Sequence, residues 1–272
     1  MHLLVIDFYP SLFVIWKLML STLVPLLMMV CVADQPLGSL VIVGGGKMPD
    51  EVRTEFIKLA GGAKEAKIIV IPTASADADD AKQKDSFLKP WIDAGVNDVQ
   101  LLHTRDRKVA DGDVFPNPLT TATGIWMSGG DQSRLTEAYL DTKTLDTIKS
   151  LYRGGAVIGG TSAGAAVMSD LMITGGSTVA ATNHGFGLLE YCVVDQHFTQ
   201  RKREARLASV LKKQPALLGI GIDESTAIVV KNKTARVLGS GQVYFSVNGK
   251  QAGVSLMAGD GYDLSHRAQL KR

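Results

Sequence analysis

The chain has 272 residues, 46% hydrophobic and 21% charged, enough apolar material to bury a full core and too much for a disordered segment. Its formal net charge is only +2, which excludes the whole-molecule field that gathers nucleic acid. Neither the two cysteines nor the five histidines fall into a CxxC or HExxH pattern, so the sequence offers no metal site, and no cofactor motif takes its place.

In chain order, the first distinctive stretch follows Lys17: LMLSTLVPLLMMVCVA, apolar or small throughout and ending in Cys31-Val32-Ala33. Small side chains at that end fit a secretory cleavage site, so residues 1–33 read as an export signal, with an uncleaved membrane anchor as the alternative. Residues 34–272 are then a single domain, expected to be secreted or periplasmic, with Cys192 as its lone cysteine.

From Leu40 onward, short apolar runs alternate with helical patterns. LVIVGGG, KIIVIPTAS, VQLL, GIWMSGG and AVIGGTS are β-branched and end in Gly or Ser, as buried parallel strands do. PDEVRTEFIKLAGG and DQSRLTEAYLDTKTLDTIKSLYRGG carry apolar residues three and four apart, the first helix starting at Pro49. This order predicts an α/β fold, a mostly parallel sheet covered by helices. The tail TAIVVKNKTARVLGSGQVYFSVNGK predicts antiparallel strands.

Ligands of such sheets sit at the carboxyl ends of the strands. VGGGKMP is no dinucleotide loop, because Pro49 stands where the last glycine of G-x-G-x-x-G belongs, and it reads as a plain glycine turn. Gly160-Thr161-Ser162-Ala163-Gly164 is a G-x-S-x-G nucleophile elbow with a strand before it and a helix after it. Ser162 would project from the turn, and the Ala163 N–H would face a developing oxyanion. Gly130, in SGGDQ, is the candidate second donor, since a glycine turn lets backbone approach substrate.

A serine needs a base. His103, His184 and His266 fall in surface, loop and tail contexts, whereas CVVDQHFTQ carries His197 out of an apolar run at a strand's end, and it ranks first. For the acid that orients the base, Asp223 and Glu224 in LLGIGIDESTAIVV compete with Asp195 and Asp170, and spacing leaves that choice open.

Taken together, GGTSAGAAVMS, VVDQHFTQRKREARL, SGGDQSRL and GIGIDESTAIVV resemble the cyanophycinases, relatives of aspartyl dipeptidase with a class I glutamine-amidotransferase-like fold. The resemblance spans about Leu40 to Val247. It implies a triad of Ser162, His197 and Glu224, and a substrate pocket lined by Gln132, Asp195, Gln196, Arg201, Arg203 and Arg206. It also implies the substrate, cyanophycin, a poly-aspartate whose side-chain carboxyls carry arginine, cut to β-aspartyl-arginine, and a homodimeric state. An α-aspartyl dipeptidase and a non-catalytic binding protein are the alternatives on this fold. Arg203 and Arg206, three apart, are expected to share a helix face and hold a carboxylate, while Asp195 and the amides of Gln132 and Gln196 take guanidinium or backbone groups.

Overall fold

The computed structural model describes residues 37–248 and 253–271; the expected export or anchor segment, 1–33, lies outside the described residues. The described chain runs β1 (Leu40–Val43), α1 (Asp50–Leu59), β2 (Lys67–Ile71), α2 (Lys84–Ile92), β3 (Asp98–Leu101), α3 (Arg107–Ala110) and β4 (Gly124–Met127). It continues through α4 (Gln132–Tyr139), α5 (Lys143–Arg153), β5 (Val157–Thr161), α6 (Ala163–Ala166), β6 (Leu171–Gly175), β7 (Ala181–His184) and β8 (Cys192–Gln196). The remainder is α7 (Glu204–Lys213), β9 (Leu218–Ile222), β10 (Thr226–Lys231), β11 (Thr234–Gly239), β12 (Val243–Ser246), β13 (Val254–Leu256), β14 (Gly261–Asp263) and β15 (Ala268–Gln269).

A nine-stranded sheet forms the centre, in the order β15-β14-β11-β10-β1-β5-β4-β2-β3. The five strands predicted from the apolar runs, β1 to β5, are its parallel part. β10 and β11 extend it antiparallel, as the tail pattern predicts, and β14 and β15, beyond that stretch, continue it antiparallel. A second sheet, β13-β12-β9-β8, pairs β8 and β9 in parallel, and β6 and β7 form a separate two-stranded unit.

Alternation along each strand feeds two cores. Val41, Val43, Ile68 and Val70 face α1 and α2, where Phe56, Trp91 and Trp126 meet with ring centroids 5.1–5.2 Å apart. Leu40, Ile42, Ile69 and Ile71 face α4, α5, α6 and the inner side of the second sheet. The outer side of that sheet, through Val193, is covered by Leu207, Val210 and Leu211 of α7. Strands β1, β2, β4 and β5 are thus sheathed on both faces, which is why they are apolar along most of their length.

Two expectations change. The pattern from Gln132 to Arg153 is two helices: Leu140 leaves α4 extended, Asp141 takes φ 54°, and the Thr142 hydroxyl accepts from the Leu145 N–H to start α5. α1 begins at Asp50, with Pro49 as its extended cap. α2 carries no clear sequence signal, because Pro90 interrupts its helical pattern.

Phe56 is fully buried between two tryptophans, so Phe56→Ala is expected to lower the unfolding free energy by about 3–5 kcal/mol, measured by urea denaturation.

Candidate active site

The site assembles at the carboxyl ends of β1, β4, β5 and β8. Ser162 follows β5 directly and holds φ 52° and ψ −105°, the strained conformation that lifts a side chain out of a strand-to-helix elbow. Gly160 and Gly164 make the elbow close-packed: a Cβ on Gly160 would fall 2.5 Å from the Gly164 backbone, and one on Gly164 would fall 2.3 Å from the Met127 carbonyl oxygen. The Ser162 N–H donates to the Val43 carbonyl at 3.0 Å, fixing the turn to β1.

His197 follows β8, and its Nε2 lies 2.8 Å from Ser162 Oγ. Its Nδ1 lies 2.6 Å from Glu224 Oε1. A carboxylate only accepts, so Nδ1 carries the proton, Nε2 is left as an acceptor, and the Ser162 hydroxyl donates to it. His197 is 7% exposed. Burial pushes the imidazole below its usual range, the Glu224 hydrogen bond opposes that shift, and the guanidinium of Arg201 lowers it further. The arrangement keeps the ring neutral and ready to take a proton from the hydroxyl.

The choice between neighbouring acids is resolved by their partners. Asp223 Oδ1 accepts from the Thr199 N–H at 3.0 Å and from its hydroxyl at 2.7 Å, and Oδ2 accepts from the Gln242 N–H. Asp223 therefore ties the loop after His197 to the second sheet. Glu224, whose own N–H donates to Gln200 Oε1 at 2.9 Å, points to the imidazole. Asp195 and Asp170, the other candidates, do not reach it: Asp195 is paired elsewhere, and His197 Nδ1 bonds to Glu224 alone among the described residues.

The glycine run after β1, read from sequence as a plain turn, shapes the site. Gly45 has φ 106°, and a Cβ there would lie 2.3 Å from His197 Cε1; Gly46 has φ 68°, and its Cβ would lie 2.9 Å from Glu224 Cβ. The loop lies flat against the imidazole and the carboxylate because it has no side chains. Backbone bonds stitch the three segments: His197 N–H to the Gly44 carbonyl at 2.7 Å, Gly44 N–H to Thr226 at 2.9 Å, and Ser225 N–H to Gly45 at 2.9 Å. Three consecutive glycines are more than a helix entry needs, and that excess is the signal in the sequence. Thr199 and Gln200, which hold the acid-bearing turn, carry none.

Gly129 stands beside the serine: a Cβ on it would lie 3.5 Å from Ser162 Cβ. Gly130 holds φ 139°. The backbone N–H groups of Gly130 and Ala163 have no hydrogen-bond partner among the described residues.

The expected pocket residues divide. Asp195 is 0% exposed and Arg206 5%; the Arg206 Nε donates to Asp195 Oδ2 at 3.0 Å and its Nη2 to Oδ1. Asp195 and Arg206, both expected to line the substrate pocket, are turned toward each other by the packing of α7 on β8. Burial pushes the Asp195 carboxyl up, and the two arginines oppose that. Arg203 donates to the carbonyl and amide oxygens of Gln196 and stands 3.5 Å from Asp195. Burial, then the neighbouring Arg206, lowers its guanidinium to about 10. Gln132 Nε2 donates to the Ile173 and Thr174 carbonyls at 2.8 and 3.2 Å, which leaves Oε1 to accept. Arg201 is exposed, and its side chain has no partner among the described residues.

The family model described as Peptidase family S51 matches residues 40–238. The chain belongs to peptidase family S51. As a family S51 member it is a serine-type peptidase. It is 40% identical over 220 residues to the cyanophycinase of Synechococcus elongatus, covering 76% of this chain and 67% of that protein. It is 37% identical over 217 residues to the cyanophycinase of Geminocystis herdmanii, covering 75% and 79%. Among solved structures, a peptidase from an acI-B1 Actinobacterium superposes with a TM-score of 0.68 at 27% identity, over 85% of this chain and 98% of that one.

Asp195→Asn leaves the buried Arg206 without its charge partner, and is expected to cost about 3–5 kcal/mol of stability in urea unfolding.

Proposed function

We propose that this S51 peptidase is a serine exopeptidase that hydrolyses cyanophycin to β-aspartyl-arginine, with Ser162 as nucleophile, His197 as base and Glu224 as the group that orients it. The observation that carries this reading is the continuous line from the Ser162 hydroxyl through His197 to Glu224, at 2.8 and 2.6 Å. The cyanophycinases to which the chain is similar support the substrate.

In the first half-reaction Ser162 Oγ attacks the scissile carbonyl carbon while its proton passes to His197 Nε2. Glu224 accepts from Nδ1–H throughout and stabilises the imidazolium. The N–H groups of Gly130 and Ala163, free to donate, receive the charge that develops on the carbonyl oxygen. The amine leaves with the proton from His197, and water, activated by the same ring, releases the acyl group from Ser162.

The exposed Arg201 guanidinium is free to meet a substrate carboxylate, and Arg203 is held beside the buried Asp195–Arg206 pair. Gln132 Oε1 is an acceptor suited to a substrate guanidinium or backbone N–H. The apolar stretch ending in Cys31-Val32-Ala33 supports an exported enzyme that degrades polymer outside its own cell.

Ser162→Ala is expected to reduce release of β-aspartyl-arginine from cyanophycin, read by mass spectrometry, by about 10⁶-fold. A wild-type protein that leaves the polymer intact and cleaves α-aspartyl dipeptides instead would transfer the chain to the dipeptidase reading. For pH, His197 must be neutral to act and burial lowers its pKa, so kcat/KM rises with pH along an acidic limb. The midpoint of that limb is expected below the ordinary imidazole value of about 6.5. A midpoint above that value contradicts the assignment.

A further inference from the structure

Away from the triad, at the ends of β2 and β3, lies a second polar cluster. Thr73 Oγ1 is 2.8 Å from His103 Nδ1 and 2.7 Å from the Tyr139 hydroxyl, while His103 Nε2 is 3.0 Å from Asp79 Oδ1. Hydroxyl, imidazole and carboxylate are in line here too, but Thr73 is 0% exposed and its oxygen is shared with Tyr139, so no substrate reaches it. The cluster has another output. Arg105, whose Nε donates to Asp79 Oδ2, sends Nη1 to the Thr73 carbonyl at 2.9 Å and Nη2 to the Ser75 carbonyl at 2.8 Å.

Those two carbonyls bracket Ala74, and Ala74 is the shelf for the Gly129–Gly130 turn. The Ala74 carbonyl accepts from the Asp131 N–H at 2.9 Å and from Arg134 Nη1 at 3.3 Å. A Cβ on Gly130 would stand 2.0 Å from that same oxygen. The turn therefore has no slack: any shift of residues 73–75 moves Gly130, which the reading above makes an oxyanion donor. Arg105 is the group that fixes this segment from outside the sheet, using both arms of its planar fork, and Asp79 aims the fork. Arg105 lowers the Asp79 pKa by its hydrogen bond, with His103 adding to it, so the carboxylate stays charged.

We propose that Arg105, held by Asp79, which His103 also bonds, is a positioning residue for the oxyanion turn of this peptidase, acting through Thr73–Ser75 on Gly130 without touching substrate. The inference rests on the serine peptidase reading of Ser162. It separates Arg105 from Arg201, the exposed guanidinium that the proposed function sets before a substrate carboxylate.

The test uses the full chain, a short soluble cyanophycin oligomer, and a fluorophosphonate to count active sites by end-point labelling of Ser162. Arg105→Ala is expected to lower kcat per labelled site about 10- to 100-fold, somewhat less than outright loss of an oxyanion donor, with KM within about twofold. The acidic-limb midpoint set by His197 should stay where it is. Arg105→Lys, which offers one point of contact in place of a fork, is expected to recover part of the loss, and added methylguanidine to restore part of the Arg105→Ala activity. If Arg105 served stability alone, activity would fall only with the number of labelled sites, and kcat per site would match wild type within twofold; that result overturns the proposal. A loss confined to KM overturns it as well, by making Arg105 a substrate contact. A wild-type chain that is active but takes no label at Ser162 removes the serine reading and this inference with it, whereas a labelled wild type with an unaltered Arg105→Ala removes the inference only.

Discussion

The hydrogen bond from the His197 N–H to the Gly44 carbonyl, 2.7 Å, is the contact on which the rest of the site depends. Ser162 belongs to the central sheet and His197 to the second sheet, while Glu224 sits on the crossing from β9 to β10 that joins them. No single element could hold all three groups. The two sheets must meet at the carboxyl ends of β1 and β8, and the bare backbone of Gly44 to Gly46 is what lets them come close enough. Ser225 N–H to Gly45 and Gly44 N–H to Thr226 repeat the same stitch from the acid's side. Backbone bonds of this kind leave little rotational freedom, so the reacting atoms are held in place before substrate arrives.

Next to His197 in the chain lies a buried ion pair, Asp195 with Arg206. Such pairs seldom add net stability, since desolvating both charges costs about what their attraction returns. Here the pair also receives Arg203 on its open side and sends Arg206 Nη1 to the Gly176 carbonyl, which links β8, α7 and the end of β6. Its effect is to fix orientation: Arg203 and Gln196 are held in one arrangement beside His197. Charge that faced solvent at these positions would be screened and mobile.

Several residues of the site are strained. Ser162, His197 and Ser225 all adopt positive φ without being glycine, at 52°, 49° and 54°. Ser162 and His197 each follow the last residue of a strand, and Ser225 closes the turn just before β10, where the chain must change direction at once. Such conformations cost of order 1–3 kcal/mol each and persist where the surroundings over-determine them. Close backbone packing of Gly160 against Gly164, and the hydrogen bonds of Asp223 to Thr199, supply that constraint.

The sequence by itself determined the parallel core, the antiparallel tail, the elbow at Ser162 and the placement of His197 at a strand's end. All of these follow from local periodicity, β-branching and glycine spacing, which report on residues a few positions apart. Residue spacing left Asp223 and Glu224 open and only the resemblance pointed to Glu224; the tertiary structure brings Glu224 to His197 and ties Asp223 to Thr199, because the side of the turn that faces the imidazole is set by how β9 crosses to β10. It alone turned Asp195 and Arg206 inward, since their burial depends on α7 packing against β8 across a loop. It alone gave the glycines after β1 their role and brought Arg105 to the turn beside Gly130, because a backbone's need for close approach is visible only when the neighbour, distant in the chain, is in place.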